Sequence, residues 1–172
     1  MILWLLLIAS PFPFEIKSGF VFEPVVGSSI ADHNDSESLN FGLRLSYLFS
    51  DTKDRCLTFE TQGQWQLLPQ AKSTSPTDRV ILEGSFVFYE FYNPFAFRLA
   101  LGGGVERRDI ANTKKTNWSG LGVYRGGFGY YLAKEMGVWI DLNQRQIFRE
   151  SDTGKIYRSA PLEFSLSSQW IF

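Results

Sequence analysis

The 172-residue chain carries a single histidine. It is His33, in the polar stretch SSIADHNDSES, and the next long polar stretch, AKSTSPTD, supplies Ser73, Ser75 and Asp78. An imidazole oriented by a carboxylate can take a hydroxyl proton and so make a nucleophile for acyl transfer. These residue types therefore contain the parts of such a site, although polar loops are built of Ser, Asp and His in any case. The acids beside the histidine, Asp32, Asp35 and Glu37 with Asn34, lack the ordered ligand spacing of a calcium loop, so no metal is expected. LGGGVER lacks the Lys and Ser/Thr of a phosphate loop. With YRGGFGY it reads instead as close packing or bulges where a sheet bends. No cofactor is expected, and the lone Cys56 cannot form an internal disulfide.

A larger set of chemically capable residues is ionic: Glu23, Glu60, Glu83, Glu106, Asp141 and Glu163 against Arg44, Arg98, Arg125 and Arg145. What they have in common becomes visible only from the elements that carry them. Nearly the whole chain has an apolar period of two. Phe20, Phe22, Pro24 and Val26 alternate with Val21, Glu23 and Val25. Leu39, Phe41, Leu43, Leu45, Tyr47 and Phe49 alternate with Asn40, Gly42, Arg44, Ser46 and Leu48. The pattern recurs from Leu57 to Leu67, from Val80 to Phe88 and from Phe95 to Val105. It is less clean over 118–130 and 136–148, and returns in FSLSSQWIF. Eight strands of roughly ten residues result, each with one oily face. The ten charges all fall on the other face.

The joins alternate in length. GSSIADHNDSES, PQAKSTSPTD, RRDIANTKKT and RESDTGK are long, whereas DTKD, YNP and LAKE are tight. That asymmetry belongs to an up-and-down barrel with all its long loops at one end. Tyr47, Phe49, Phe88, Tyr89, Phe91, Tyr92, Phe95, Phe97, Tyr130, Tyr131, Trp170 and Phe172 fall near the short-turn ends of their strands. Trp65, Trp118 and Tyr157 fall near the long-loop ends. Amphipathic rings sorted into two belts describe a cylinder in a membrane. The girdle is assigned to Tyr47, Phe49, Trp65, Phe88, Phe95, Trp118, Tyr130 and Trp170. The ten charges then line the lumen, where isolated ions would be costly, so they are expected to pair into a polar plug with Gln62, Gln64, Asn143 and Gln169. Eight strands enclose a space that side chains can fill, so a wide pore is not expected.

From residue 15 to 172 the chain resembles the small outer-membrane barrels of the OmpA and OmpX type. The alternation and the loop asymmetry carry the resemblance. So does the ending FSLSSQWIF, which is similar to the insertion signal of that family, with Phe164, Leu166, Trp170 and Phe172 at alternate positions. The resemblance implies an all-β, up-and-down antiparallel eight-stranded transmembrane β-barrel in the outer membrane of a Gram-negative bacterium. It also implies a monomer, with outer-membrane lipids, lipopolysaccharide and the barrel-insertion machinery as partners. Barrel deacylases of lipid A, with a His and a Ser near the chain end, are not matched. The related palmitoyltransferases use a His in the first outer loop with an Asp and a Ser in the second, which is where His33, Ser73, Ser75 and Asp78 lie. In that family proline-flanked gaps admit a lipid chain sideways, and Pro24 and Pro161 could mark such a gap at the seam of first and last strands.

Residues 1–14, MILWLLLIASPFPF, read as a signal peptide or hydrophobic leader, and 15–172 as the barrel domain. With 17 basic and 18 acidic residues the chain has a formal charge of -1, which gives no reason to expect nucleic acid. Arg107, Arg108, Lys114 and Lys115 make one loop locally basic near the outer leaflet. The expected role is structural or surface-interacting, without catalysis. The alternatives are an outer-leaflet lipid-modifying or lipid-binding barrel, acyltransferase-like, and a soluble lipocalin-like carrier.

Overall fold

The structure, a computed structural model, describes residues 18–30, 38–49, 54–67, 76–110, 116–150 and 156–172. The expected leader, His33, Ser73 and Ser75 lie outside these residues, as do Lys114 and Lys115. The strands are β1 Gly19–Ile30, β2 Ser38–Leu48, β3 Arg55–Leu67, β4 Pro76–Tyr92, β5 Phe95–Ile110, β6 Thr116–Ala133, β7 Met136–Glu150, β8 Ile156–Ser159 and β9 Leu162–Ile171. Each pairs antiparallel with its neighbour in sequence through β7. Strands β8 and β9 pair with β7 in one unbroken register, from Glu150↔Ile156 through Ile147↔Ser159 to Gln144↔Leu162. They are two parts of one stave, interrupted only at Ala160 and Pro161. Pairing of β1 with β9 closes an eight-stave, up-and-down barrel.

The alternation explains which face goes where. Along β5, Phe97, Leu99, Leu101 and Val105 project outward and are exposed, whereas Ala96, Arg98, Ala100 and Glu106 are buried in the lumen. The outward apolar positions run from Phe95 to Val105. Those ten steps at about 3.3 Å each, tilted by about 40°, cover about 25 Å along the barrel axis. That is the height of the apolar band on membrane barrels.

Two expectations change. The strands are longer than about ten residues, with 17 in β4, 16 in β5 and 18 in β6. Polar residues such as Arg107, Arg108 and Asn117 continue the ladder, because a backbone pair closes whatever side chains it carries. The lumen is also not uniformly polar. Val21, Leu48, Cys56, Val87, Tyr89, Ala96, Ala100, Tyr131, Trp139 and Ile171 pack together at the short-turn end, with Phe91 against them. Ile81, Leu121, Val123 and Ile147 form a second apolar cluster. Tyr89, Phe91 and Tyr131, counted from sequence among the aromatics of the short-turn belt, therefore belong to the lumen. Runs such as Phe88 to Phe91 are aromatic on both parities, and only the register separates the two faces.

The glycine-rich segments lie in regular ladders, and the register shifts of β4–β5 and β6–β7 fall elsewhere, between Pro76 and Asp78 and between Tyr131 and Ala133. Their role is close packing. A Cβ on Gly104 would collide with the Leu82 carbonyl, and one on Gly127 with the Asp141 carboxylate and the Arg98 stem.

Candidate functional site

Between the two apolar clusters the lumen is filled by ion pairs that cross the barrel axis. Arg98 on β5, Gly127 on β6 and Asp141 on β7 form one row across adjacent staves. With no side chain at Gly127, Arg98 Nε donates to Asp141 Oδ1 at 2.7 Å and Nη2 to Asp141 Oδ2. The same guanidinium reaches the diametrically placed Glu23 on β1, at 2.7 Å to each carboxylate oxygen. Arg44 on β2 completes the cluster, with Nη1 at 2.6 Å from Glu23 and 2.7 Å from Asp141. Ser167 on β9 also donates to Glu23, at 2.5 Å. Two cations and two anions thus share one site with every charge partnered, the condition under which buried ions are tolerated.

A second group lies toward the long-loop end. Arg145 Nε donates to Glu83 at 3.0 Å, Nη1 to Glu163, and Nη2 to Gln64 Oε1 at 2.5 Å. Gln64 in turn donates to Glu163 at 2.9 Å. The two groups are joined through Gln62, which accepts from Arg44 Nε at 2.6 Å and Arg125 Nη1 at 3.0 Å and donates to Gln64 at 2.9 Å. Arg125 also pairs with Glu60. Near the upper rim Glu106 sits 3.4 Å from both Arg79 and Arg108.

The floor of the ionic layer is aromatic. Trp139, fully buried, lies 4.3 Å from the Arg98 guanidinium carbon to its ring centroid, a cation–π distance. Its Nε1 donates to Gln169 Oε1 at 2.6 Å, and the Tyr131 hydroxyl donates to the same oxygen at 2.8 Å. Gly129 makes room, since a Cβ there would meet the indole.

All ten charges assigned to the lumen from sequence are buried there, at 5% exposure or less. Arg79 was missed, although it shares the parity of Ile81 and Glu83 and could have been found by extending the alternation one step. Trp139 was missed because 136–148 alternates poorly. The girdle residues Tyr47, Phe49, Trp65, Phe88, Phe95, Trp118, Tyr130 and Trp170 all project outward, and Phe49, Trp65, Trp118 and Trp170 are exposed. Phe164, Leu166, Trp170 and Phe172 form one outward row on the last stave. Of the acyl-transfer candidates, Asp78 is placed only by its backbone, paired with Leu67 and Asp109. Among the described residues no group of three or more His, Cys, Asp or Glu could hold a metal.

The two prolines do not meet. Phe20 exchanges both backbone hydrogen bonds with Phe172 across the seam, so even-numbered residues of β1 direct their polar groups to β9. Pro24 shares that parity, and the β1–β9 ladder lacks its pairs between Phe22↔Trp170 and Val25↔Ser167. Pro24 is thus on the seam, but in mid-strand rather than at the outer end. Pro161 points the other way: its carbonyl accepts from Arg145 N at 3.4 Å on β7. In the seam register Pro24 falls opposite position 168, seven residues or about 23 Å from Pro161.

No family model and no curated protein matches the chain. Solved structures do. The structure of Neisserial surface protein A matches with a TM-score of 0.71 at 11% identity, covering 90% of this chain and 97% of that one. Ail, the attachment invasion locus protein of Yersinia pestis, matches at 0.62 and 10%, over 90% and 97%. The N-terminal β-barrel domain of Pseudomonas aeruginosa OprF matches at 0.56 and 12%, over 91% and 100%. The outer membrane enzyme PagL matches at 0.52 and 12%, over 88% and 99%. The chain has the fold of the small eight-stranded outer-membrane barrels.

Proposed function

We propose that the chain is a monomeric outer-membrane protein of a Gram-negative bacterium with a structural or surface-interaction role, its barrel a sealed wall rather than a pore. The inversion of its faces carries this reading. Phe22, Phe59, Leu82, Phe86, Leu99, Leu101, Ile140, Leu142 and Leu166 are exposed, while six acids and five arginines are buried. In water such a surface would aggregate, and against lipid it is the stable arrangement. A soluble ligand carrier requires the opposite distribution, with an apolar interior and a polar exterior. The outward row Phe164, Leu166, Trp170 and Phe172 is what the insertion machinery would read, and lipopolysaccharide would surround the long-loop end.

Expression in a Gram-negative host followed by fractionation tests this directly. The protein is expected in the outer membrane and is expected to shift on gels when boiled. Recovery in the soluble fraction overturns the reading. The acyltransferase alternative rests on the residue types of His33, Ser73, Ser75 and Asp78. Lipid A mass spectra compared between cells with and without the protein test it.

A further inference from the structure

We infer that the outer wall of β6, β7 and β8 docks an amide-bearing, phosphorylated lipid of the lipid A class, held by Gln144, Gln146 and Arg158. The inference rests on the outer-membrane reading above and narrows it to one patch of wall.

The motivating observation is a pair of amides where the membrane-facing surface should be apolar. On β7 the outward row is Val138, Ile140, Leu142, Gln144, Gln146 and Phe148. Among the described residues neither glutamine has a hydrogen-bond partner. Yet Phe148 and Trp118, both exposed apolar rings, sit farther toward the long loops. The amides therefore lie below an aromatic rim, where water is scarce and an unpaired amide is costly. Lipid must supply their partners.

The surroundings define what fits. Gln146 pairs with Gly122, which pairs with Gly103, and Phe148 pairs with Gly120. A Cβ built on Gly120 or Gly122 would touch nothing within 4 Å, so the wall beside the amides is bare. Glycines alone would be only a dent, and the amides give it a chemistry. On the other side β8 pairs Arg158 with Phe148, one residue pair above Gln146 on the same face. Arg158 is exposed, and no described carboxylate pairs with it. On the interior side of Gln146, Arg145 and Pro161 share one backbone hydrogen bond, from Arg145 N to the Pro161 carbonyl, because Pro161 has no N–H for the Arg145 carbonyl.

The patch offers bare wall at Gly120 and Gly122 level with and above Gln146, two amides and a cation, with the exposed Tyr124 ring opposite Gln144 on the interior side. A primary amide both donates and accepts, so it pairs reciprocally with an N-acyl amide or a hydroxyl, whereas the esters of a glycerophospholipid only accept. An arginine above suits a phosphate. Amide-linked, hydroxylated, phosphorylated chains are the chemistry of lipid A, and this position would lie in the leaflet that contains it.

The test uses the full chain in detergent micelles, with folding verified by the gel shift on boiling. Native mass spectrometry would count retained lipid when lipid A and phosphatidylglycerol are supplied at equal mole fraction. Retention of lipid A over phosphatidylglycerol is expected, with a drop of roughly tenfold in Q144L/Q146L, the scale of one to two lost hydrogen bonds. R158Q should weaken lipid A retention, and G122L should weaken it by obstruction. Equal retention of both lipids would mean a merely anion-attracting rim and overturns the site. Unchanged lipid A retention in the folded Q144L/Q146L variant does the same. Either result leaves the barrel reading standing, whereas a chain that never enters membranes and shows no gel shift overturns both.

Discussion

Arg98 rests on the face of Trp139 while its fork divides between Glu23 and Asp141. One side chain thereby ties staves β1, β5 and β7 together and fixes the boundary between the ionic layer and the aromatic floor. The floor excludes water from the pairs above it, and the pairs hold the indole flat.

Replacing Arg98 by Ala leaves two carboxylates in the lumen with Arg44 as their remaining cation. Loss of one partner from a buried pair costs about 3–5 kcal/mol, so urea unfolding of the refolded protein should show a loss of that order. Lys114→Ala, outside the described residues, should change stability by about 0.5 kcal/mol or less. Equal effects would contradict the inward orientation of Arg98.

Gly127→Val places a branched side chain where Asp141 and Arg98 meet. The expected loss is about 3 kcal/mol or more, combining overpacking with a broken pair. Gly120→Ala, whose Cβ enters open space, is the matched control and should unfold within about 0.5 kcal/mol of the parent.

Planar-bilayer recordings should show no large, steady conductance. Arg44 reaches Asp141 across the axis, Arg145 bridges Glu83 and Glu163, and Trp139, Tyr89 and Tyr131 close the short-turn end. A stable open level in the parent protein would mean that these layers part readily.

Pro24→Val restores a donor on the seam. Amides at residues 168–170 should then exchange more slowly, read by hydrogen-exchange mass spectrometry. Pro161→Val should slow residues 144–147 instead and leave the seam unchanged. Identical responses in both variants would show that the prolines share one gap, against the registers of β1–β9 and β7–β9.

Removing Phe172 should reduce assembly in cells far more than refolding into detergent. The terminal ring is 80% exposed, and its loss removes one lipid contact, worth about 2 kcal/mol. If the insertion machinery reads the outward row as proposed, the same deletion removes its last position as well. Normal assembly of the shortened chain would reduce Phe172 to a membrane anchor.

Much of the fold could be read from the chain because a barrel wall has period two and its faces meet opposite solvents. Once Leu39 to Phe49 was read as an alternating strand, Arg44 had to point inward, and the same holds for Glu23 and Arg98. Periodicity does not report which inward residues touch. That Arg98 chooses Glu23 and Asp141 depends on stagger between staves and on the bare backbone at Gly127, neither of which has a local signal. Tyr89, Tyr131 and Trp139 were illegible for a related reason: a large ring suits either lipid or a lumen floor. The amides of Gln144 and Gln146 broke the pattern of β7, and the strand looked indistinct because it carries polar groups outside as well as in.

The cluster of Glu23, Arg44, Arg98 and Asp141 draws on staves β1, β2, β5 and β7, which become neighbours across the axis only after β1 has met β9. Before closure only the neighbouring pairs Glu23–Arg44 and Arg98–Asp141 can form, so the cross-axis half of the cluster, Arg98–Glu23 and Arg44–Asp141, contributes little to the rate at which the barrel forms. Its stabilisation falls instead on the barrier to reopening. The lumen charges are thus a latch, engaged by the last step of folding, and they set how long a closed barrel lasts.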